Sequence, residues 1–121
     1  MLFRSFVYID DVVDALFAAV EGPAAEPRCL DIGSGTAATI HELAQTIAAI
    51  CDSPKPVVVP KFRDGDVRAA RCDIEPAKNE LGWRPKWVLE EGLRALLDWI
   101  GEQPESPVET DDHTHMAAVL K

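Results

Sequence analysis

Three groups of residues in this 121-residue chain have types and spacings that suit chemistry on a phosphorylated ligand. Arg63-Asp64-Gly65-Asp66, with Arg68 and Arg71 close behind, sets guanidinium groups beside carboxylates around a turn. A guanidinium fork suits a diphosphate, and a carboxylate accepts hydrogen bonds from ribose hydroxyls. Arg4, just ahead of an apolar strand, is a further candidate for an anion. Gly33-Ser34-Gly35-Thr36-Ala37-Ala38 has the form G-x-G-x-x-A between a strand and a helix, where backbone N–H groups can approach a pyrophosphate. That last pattern also needs a second strand ending in an acid about 20 residues on. Asp52 stands at that distance but precedes the following strand, and Asp31 charges the strand that should be apolar. A structural strand-to-helix turn is the preferred reading.

Other chemistry is excluded. Ser34 lacks a G-x-S-x-G surround and a base. Asp10 and Asp11 are adjacent, so they point to different faces and read as helix caps. His113 and His115 lack the further ligands a metal site needs, so no metal ligand is assigned. His41, in the first turn of a helix, reads as surface polar. Cys29, Cys51 and Cys72 form no C-x-x-C pair or dense framework and read as small buried hydrophobes in a reducing cytoplasm.

Around these residues runs a β-α-β-α-β-β-α-α pattern. A strand over 4–9 precedes an amphipathic helix over 11–21, whose stripe is Val12, Val13, Leu16, Phe17 and Val20. A strand at 29–32 leads through the glycine turn to a helix opened by the Thr39/Glu42 capping box and stopped by Asp52-Ser53-Pro54. Val57, Val58 and Val59 read as a short buried strand, and 67–72 as a fourth. Asp73 caps a helix at 74–81 that ends at Gly82. The last helix spans about 88–101, with Trp83, Trp87 and Trp99 as core anchors around it. Such alternation predicts an α/β fold with right-handed crossovers. Four strands are few for so much helix, and the pattern reads as half of a larger fold.

Charge narrows the partners. The chain has 12 Lys and Arg against 21 Asp and Glu, a net −9. Residues 102–121 hold five of those acids and one base. The organisation expected is a body over 1–102 and an acidic, flexible tail over 103–121. No clustered positive charge is available for counterion release, which argues against nucleic acid. No apolar run approaches the roughly 20 residues that span a bilayer, and no secretory leader is visible.

The order of the motifs resembles a known family. Arg4-Ser5-Phe6-Val7-Tyr8-Ile9-Asp10-Asp11-Val12 resembles the R-x-F-V-x-V-x-D-V stretch of the extended short-chain dehydrogenases. Leu30-Asp31-Ile32-Gly33-Ser34-Gly35 resembles their N-I-G-S-G strand and turn, with Asp31 in place of Asn. Arg63-Asp64-Gly65-Asp66 resembles their R-x-G-D element. Asp73 through Lys78 to Leu81-Gly82-Trp83-Arg84-Pro85, then Leu89-Glu90-Glu91-Gly92-Leu93, resembles their closing D-x-x-K-x-x-x-x-L-G-W-x-P and L-E-E-G-L. The family is the NAD-dependent, UDP-glucose 4-epimerase-like sugar-nucleotide epimerases and dehydratases.

The resemblance covers only the family's C-terminal part. It implies the C-terminal portion of a Rossmann-type fold, with about four short strands and four helices and without the N-terminal dinucleotide-binding half. It implies that Arg4 and Arg63 hold the diphosphate of a UDP- or dTDP-sugar and that Asp66 accepts from the ribose. The glycine turn then closes the last strand of the cofactor domain. The family's phosphate loop and catalytic Tyr-x-x-x-Lys are absent from these residues. Tyr8 is the only tyrosine, and Val12 stands where the lysine would be. No catalytic or cofactor-binding residue is therefore assigned, and NAD is expected only with the full-length family. The function implied is a nucleotide-sugar-binding portion, inactive alone, that works as a homo-oligomer or with a missing cofactor half. The alternatives are a stand-alone nucleotide-sugar-binding or regulatory module, and a scaffold that self-associates through the unpaired strand at 29–32.

Overall fold

The structure, a computed structural model, describes residues 3–22, 28–59, 61, 65, 67 and 69–104. Four helices dominate it, and each begins or ends where local chemistry requires. After the extended Tyr8, helix α1 runs Ile9–Glu21 and closes with the Gly22 N–H on the Ala18 carbonyl. Asp10 and Asp11 lie in its first turn, at the positive end of the helix, but no side chain caps it. The expectation that Asp11 is a cap is corrected below.

Helix α2, Ile40–Ile50, opens with the expected capping box. The Glu42 N–H donates to Thr39 Oγ1 at 2.9 Å, and the Thr39 N–H donates to Glu42 Oε2 at 2.7 Å. Its end is a Schellman turn: Asp52 adopts φ +48°, and the Ser53 N–H reaches the Ala48 carbonyl at 2.8 Å. The Thr39 N–H, and after it the Thr39 hydroxyl donating to the same Oε2 at 2.9 Å, hold the Glu42 carboxyl below its ordinary value near 4.5. Its stabilising contribution is thus present above that value and is lost as the pH falls through the lowered one. Thr39→Ala is expected to cost about 1 kcal/mol and to reduce the acid-side loss of α2, the backbone N–H of residue 39 still holding part of it. Circular dichroism and exchange of the Glu42 amide between neutral and acid pH would check both. An unchanged acid profile would refute the assignment.

Helix α3, Glu75–Leu81, follows Asp73, whose Oδ1 accepts the Glu75 N–H at 3.1 Å, and ends at Gly82 with φ +65°. Helix α4 runs Leu89–Glu102, one residue from the expected bounds at each end.

The sheet is smaller than the pattern implied. Strand β1, Phe3–Arg4, pairs antiparallel with β2, Ala38–Thr39, in the register Phe3↔Thr39 and Arg4↔Ala38. The expected strand at 67–72 contributes a single parallel bridge, Phe3↔Ala69, with the Ala70 N–H on the Phe3 carbonyl at 3.2 Å. Among the described residues, 29–32 has no ladder partner. The valines at 57–59 are not a buried strand: Val57 is 87% exposed, and none of the three is covered. A strand needs a neighbour to hydrogen-bond, and the described residues supply none there.

The core is Ala15, Ile74, Ala77 and Trp83, flanked by Ala18, Leu30, Ile32, Cys72 and Leu81. Two expectations about burial fail. Trp99 is 56% exposed and anchors nothing, and Cys29 and Cys51 lie on the surface, leaving only Cys72 half-buried. In both cases the surface that would cover them is not supplied by the described residues.

Candidate functional site

Asp11 joins two parts of the fold that are distant in the chain. It is 1% exposed, and its carboxylate faces away from its own helix start. Oδ1 accepts the Lys86 N–H at 2.8 Å, and Oδ2 accepts the Trp87 N–H at 3.1 Å. The Asp11 carbonyl takes the Trp83 indole N–H at 2.9 Å. One residue thereby ties the start of α1 to the Trp83–Trp87 connector, 72 to 76 positions away. Above it the Tyr8 and Trp87 rings lie with centroids 4.3 Å apart. Gly92 of α4 meets that aromatic pair: a Cβ there would stand 3.1 Å from the Tyr8 ring. Lys86 Nζ reaches Asp14 at 2.6 Å, which raises the lysine above its ordinary value. That contribution is present below 10.5 and is lost only as the pH rises through the raised value. This clasp fixes the chain from β1 into α1, and β1 ends in Arg4.

Arg4 is half-buried at the end of β1, and its Nη1 donates to the Phe3 carbonyl at 2.9 Å. Arg63 and Asp66 lie outside the described residues, as do Arg68, His113 and His115. Arg71 is described and lines a cleft of about 330 Å³ together with Gly35, Asp73, Glu75 and Lys78. Lys78 is engaged by Glu75 at 2.5 Å. An apolar cleft of about 160 Å³ lies between the Phe6–Tyr8 segment, Leu43 of α2 and Trp87, Gly92 and Leu93 on the α4 side.

The glycine turn is packed against the chain's own side chains. A Cβ on Gly33 would lie 2.9 Å from Ser5 Oγ and 3.1 Å from Cys72 Cβ. At Gly35, φ is +73° and a Cβ would lie 2.7 Å from Ile74 Cδ1. Ser34 Oγ donates to the Thr36 carbonyl at 3.0 Å, closing the turn on itself. Both glycines are required by the close approach of the chain's own side chains. Among the described residues no group of three or more His, Cys, Asp or Glu could hold a metal ion. None of the described helices is long and apolar enough to cross a membrane.

Sequence reasoning placed Asp11 at a helix start and so missed its role. The partner N–H groups belong to Lys86 and Trp87, and no local pattern points across that separation.

An extended, Rossmann-type short-chain dehydrogenase part, built of these helices and this glycine turn, is the class that the fold defines. Comparisons give the family. The chain is 48% identical over 103 residues to a dTDP-L-rhamnose 4-epimerase of Burkholderia thailandensis, covering 83% of this chain and 28% of that protein. It is 34% identical over 96 residues to a UDP-glucose 4-epimerase of Mycolicibacterium smegmatis, covering 79% and 30%. Among solved structures, MoeE5 in complex with UDP-glucuronic acid and NAD superposes with a TM-score of 0.76 at 29% identity, covering 83% of this chain and 33% of that one. UDP-glucose 4-epimerase from Thermotoga maritima with UDP-glucose superposes at 0.75 and 36% identity, covering 83% and 32%. No family model matches the chain. The chain belongs to the NAD-dependent epimerase/dehydratase family and corresponds to the C-terminal part of its members. It spans about 30% of the length of the relatives it matches.

Proposed function

We propose that this chain is the nucleotide-sugar-binding part of an NAD-dependent sugar-nucleotide epimerase or dehydratase. Its ligand is a UDP- or dTDP-sugar. Arg4 and Arg63 hold the diphosphate, and Asp66 accepts hydrogen bonds from the ribose. The observation that carries this reading is the 48% identity to a dTDP-L-rhamnose 4-epimerase over 103 residues. The geometry supports it at one point. The Phe3↔Ala69 bridge tethers the chain just after Asp66 to the residue beside Arg4.

In this reading NAD would supply hydride chemistry at the sugar, and the residues here bind and orient the nucleotide. Among the 121 residues no Tyr-x-x-x-Lys occurs, and the only tyrosine, Tyr8, is packed on Trp87. The chain by itself therefore binds without turning over. It works in the cytoplasm, its site lies within residues 1–102, and deleting the acidic tail 103–121 leaves nucleotide affinity unchanged.

The test is an NMR titration of labelled chain with UDP, dTDP, GDP and NAD in parallel. Shifts near Arg4, Arg63 and Asp66 are expected with UDP or dTDP and not with NAD. Arg4→Ala and Arg63→Ala should each weaken that binding about tenfold or more, as loss of a charge-assisted hydrogen bond implies. Indifference to every nucleoside diphosphate would refute the binding reading. Turnover of a nucleotide sugar by the purified chain with NAD would refute its inactivity.

A further inference from the structure

The stretch Pro54-Lys55-Pro56-Val57-Val58-Val59-Pro60-Lys61-Phe62-Arg63 holds three bases and no acid, in a chain of net −9. Val57, Val58 and Val59 are exposed by 87%, 71% and 65%. Three consecutive side chains cannot all lie on one side of the backbone, so the run is open on more than one side. Among the described residues, Val57 and Val58 have no backbone hydrogen bond. Val59 has only the Lys61 N–H on its carbonyl, at 2.8 Å. Lys55 and Lys61 are exposed at the two ends of the run and form no ion pair among the described residues. An uncovered β-branched run with open backbone groups is a template for another strand.

We propose that the chain's own acidic tail docks here, with the apolar run 116–120 (Met116, Ala117, Ala118, Val119, Leu120) covering 57–59 and the acids ahead of it facing Lys55 and Lys61. Main-chain hydrogen bonds to the open N–H and C=O groups hold it, as for a peptide added to a sheet edge. Three observations select this occupant. First, residues 103–120 contain Glu105, Glu109, Asp111 and Asp112 and no base, the complement of 54–63. Second, the alternatives set like charges together. Helix α1 carries Asp10, Asp14 and Glu21 and no base, so its exposed apolar stripe repels an acidic segment. On α4, Asp98 and Glu102 flank the exposed Trp99, and Arg94 is taken by Glu90 at 2.8 Å. A second copy of 54–63 would pair lysine against lysine. Third, the tail is long enough. The fourteen positions from Pro104 to Ala118 extend to about 45 Å, roughly twice the length of α4. Ile50 at the end of α2 and Arg94 of α4 line one cleft, and Val57 follows Ile50 by seven positions. Tethering gives the pair an effective concentration on the order of millimolar, which a separate acidic partner lacks. The contact uses none of the residues assigned to the nucleotide, so either reading can fail without the other.

The test is amide hydrogen exchange, with sedimentation, on the full 121-residue chain. Exchange at 57–59 is expected to be at least tenfold slower in the native chain than in a variant carrying Val119→Asp and Leu120→Asp. Both substitutions lie in the tail, so circular dichroism of the four helices should not change. Asp111→Lys with Asp112→Lys should speed exchange at 57–59 at least threefold, and adding Lys55→Glu and Lys61→Glu should restore the protection. Leu16→Ser on α1 and Trp99→Ser on α4 replace exposed side chains and should leave it intact. Equal exchange in the native chain and the tail variant would overturn the proposal, as would absence of rescue by the reversed lysines. Protection that grows with protein concentration would assign the run to a second copy instead. Protection lost in Leu16→Ser or Trp99→Ser would assign the tail to a helix face, and either result would equally overturn the proposal.

Discussion

Asp11→Ala is expected to remove about 2–4 kcal/mol of stability, at about 1–3 kcal/mol for each backbone N–H left without its acceptor and less where water reaches it. The carboxylate receives two backbone N–H groups, from Lys86 and Trp87, at 2.8 and 3.1 Å. Lys86 is exposed and Trp87 half-buried, so the acceptor is buried while its two donors lie nearer the surface. Small domains hold only about 5–15 kcal/mol in total, and this core has four fully buried apolar residues. The variant should therefore lose a large fraction of its stability while remaining folded at 25 °C in the absence of denaturant. Asp11→Asn is expected to cost roughly half as much. It keeps one acceptor oxygen but turns an NH2 donor towards an N–H donor. Urea denaturation followed by tryptophan fluorescence measures both losses, and exchange at the Lys86 and Trp87 amides locates them. A loss under about 1 kcal/mol for the alanine variant would mean that water satisfies the two amides and that the clasp is incidental.

Gly35→Ala is the second large effect, and it separates two meanings of the glycine turn. If the glycines served a phosphate, alanine would cost affinity and little stability. The structure implies the reverse. Position 35 adopts φ +73°, where a Cβ costs about 1–2 kcal/mol. The added atom would also sit 2.7 Å from Ile74 Cδ1, and overpacking of that kind costs a further 1–3 kcal/mol or so. Ile74 is a core residue, so it has little freedom to withdraw. The second contribution can be isolated, because Ile74→Val deletes the atom in conflict. Gly35→Ala is thus expected to cost less in the Ile74→Val background than in the native chain, with the backbone contribution remaining. Equal costs in both backgrounds would show that the conflict is relieved elsewhere and that the turn is not set by Ile74.

Both predictions concern contacts that connect distant parts of the chain, and these separate the legible from the illegible. The four helices were readable because their causes lie within a few residues. Thr39 and Glu42 satisfy each other three positions apart, Asp73 accepts from Glu75 two positions on, and Gly82 supplies the left-handed residue that ends α3. The glycine turn was read as a structural strand-to-helix turn because Asp52 and Asp31 spoiled the cofactor pattern nearby, and its glycines pack against Ser5, Cys72 and Ile74. The strands were read less well. A continuous β-branched run between prolines shows that Val57, Val58 and Val59 could pair, but not whether a neighbour exists.

Burial followed the same division. Periodicity on α1 reported an apolar stripe over Val12, Val13, Leu16, Phe17 and Val20, of which the last four are exposed, and carried no information on which side the core lies. Alanines and one aspartate fill the inner face because α1 approaches Ile74, Ala77 and Trp83 closely, and that approach depends on α3 and the Trp83–Trp87 connector. Composition, caps, helix limits and the ordered motifs of the family were thus determined by the sequence alone, since each depends on residues near one another in the chain. The clasp at Asp11, the packing that demands Gly33 and Gly35, and the outward turn of the α1 stripe were decided only in the tertiary structure. A hydrogen-bond donor 75 residues away leaves no trace in local spacing until the fold brings it to the carboxylate.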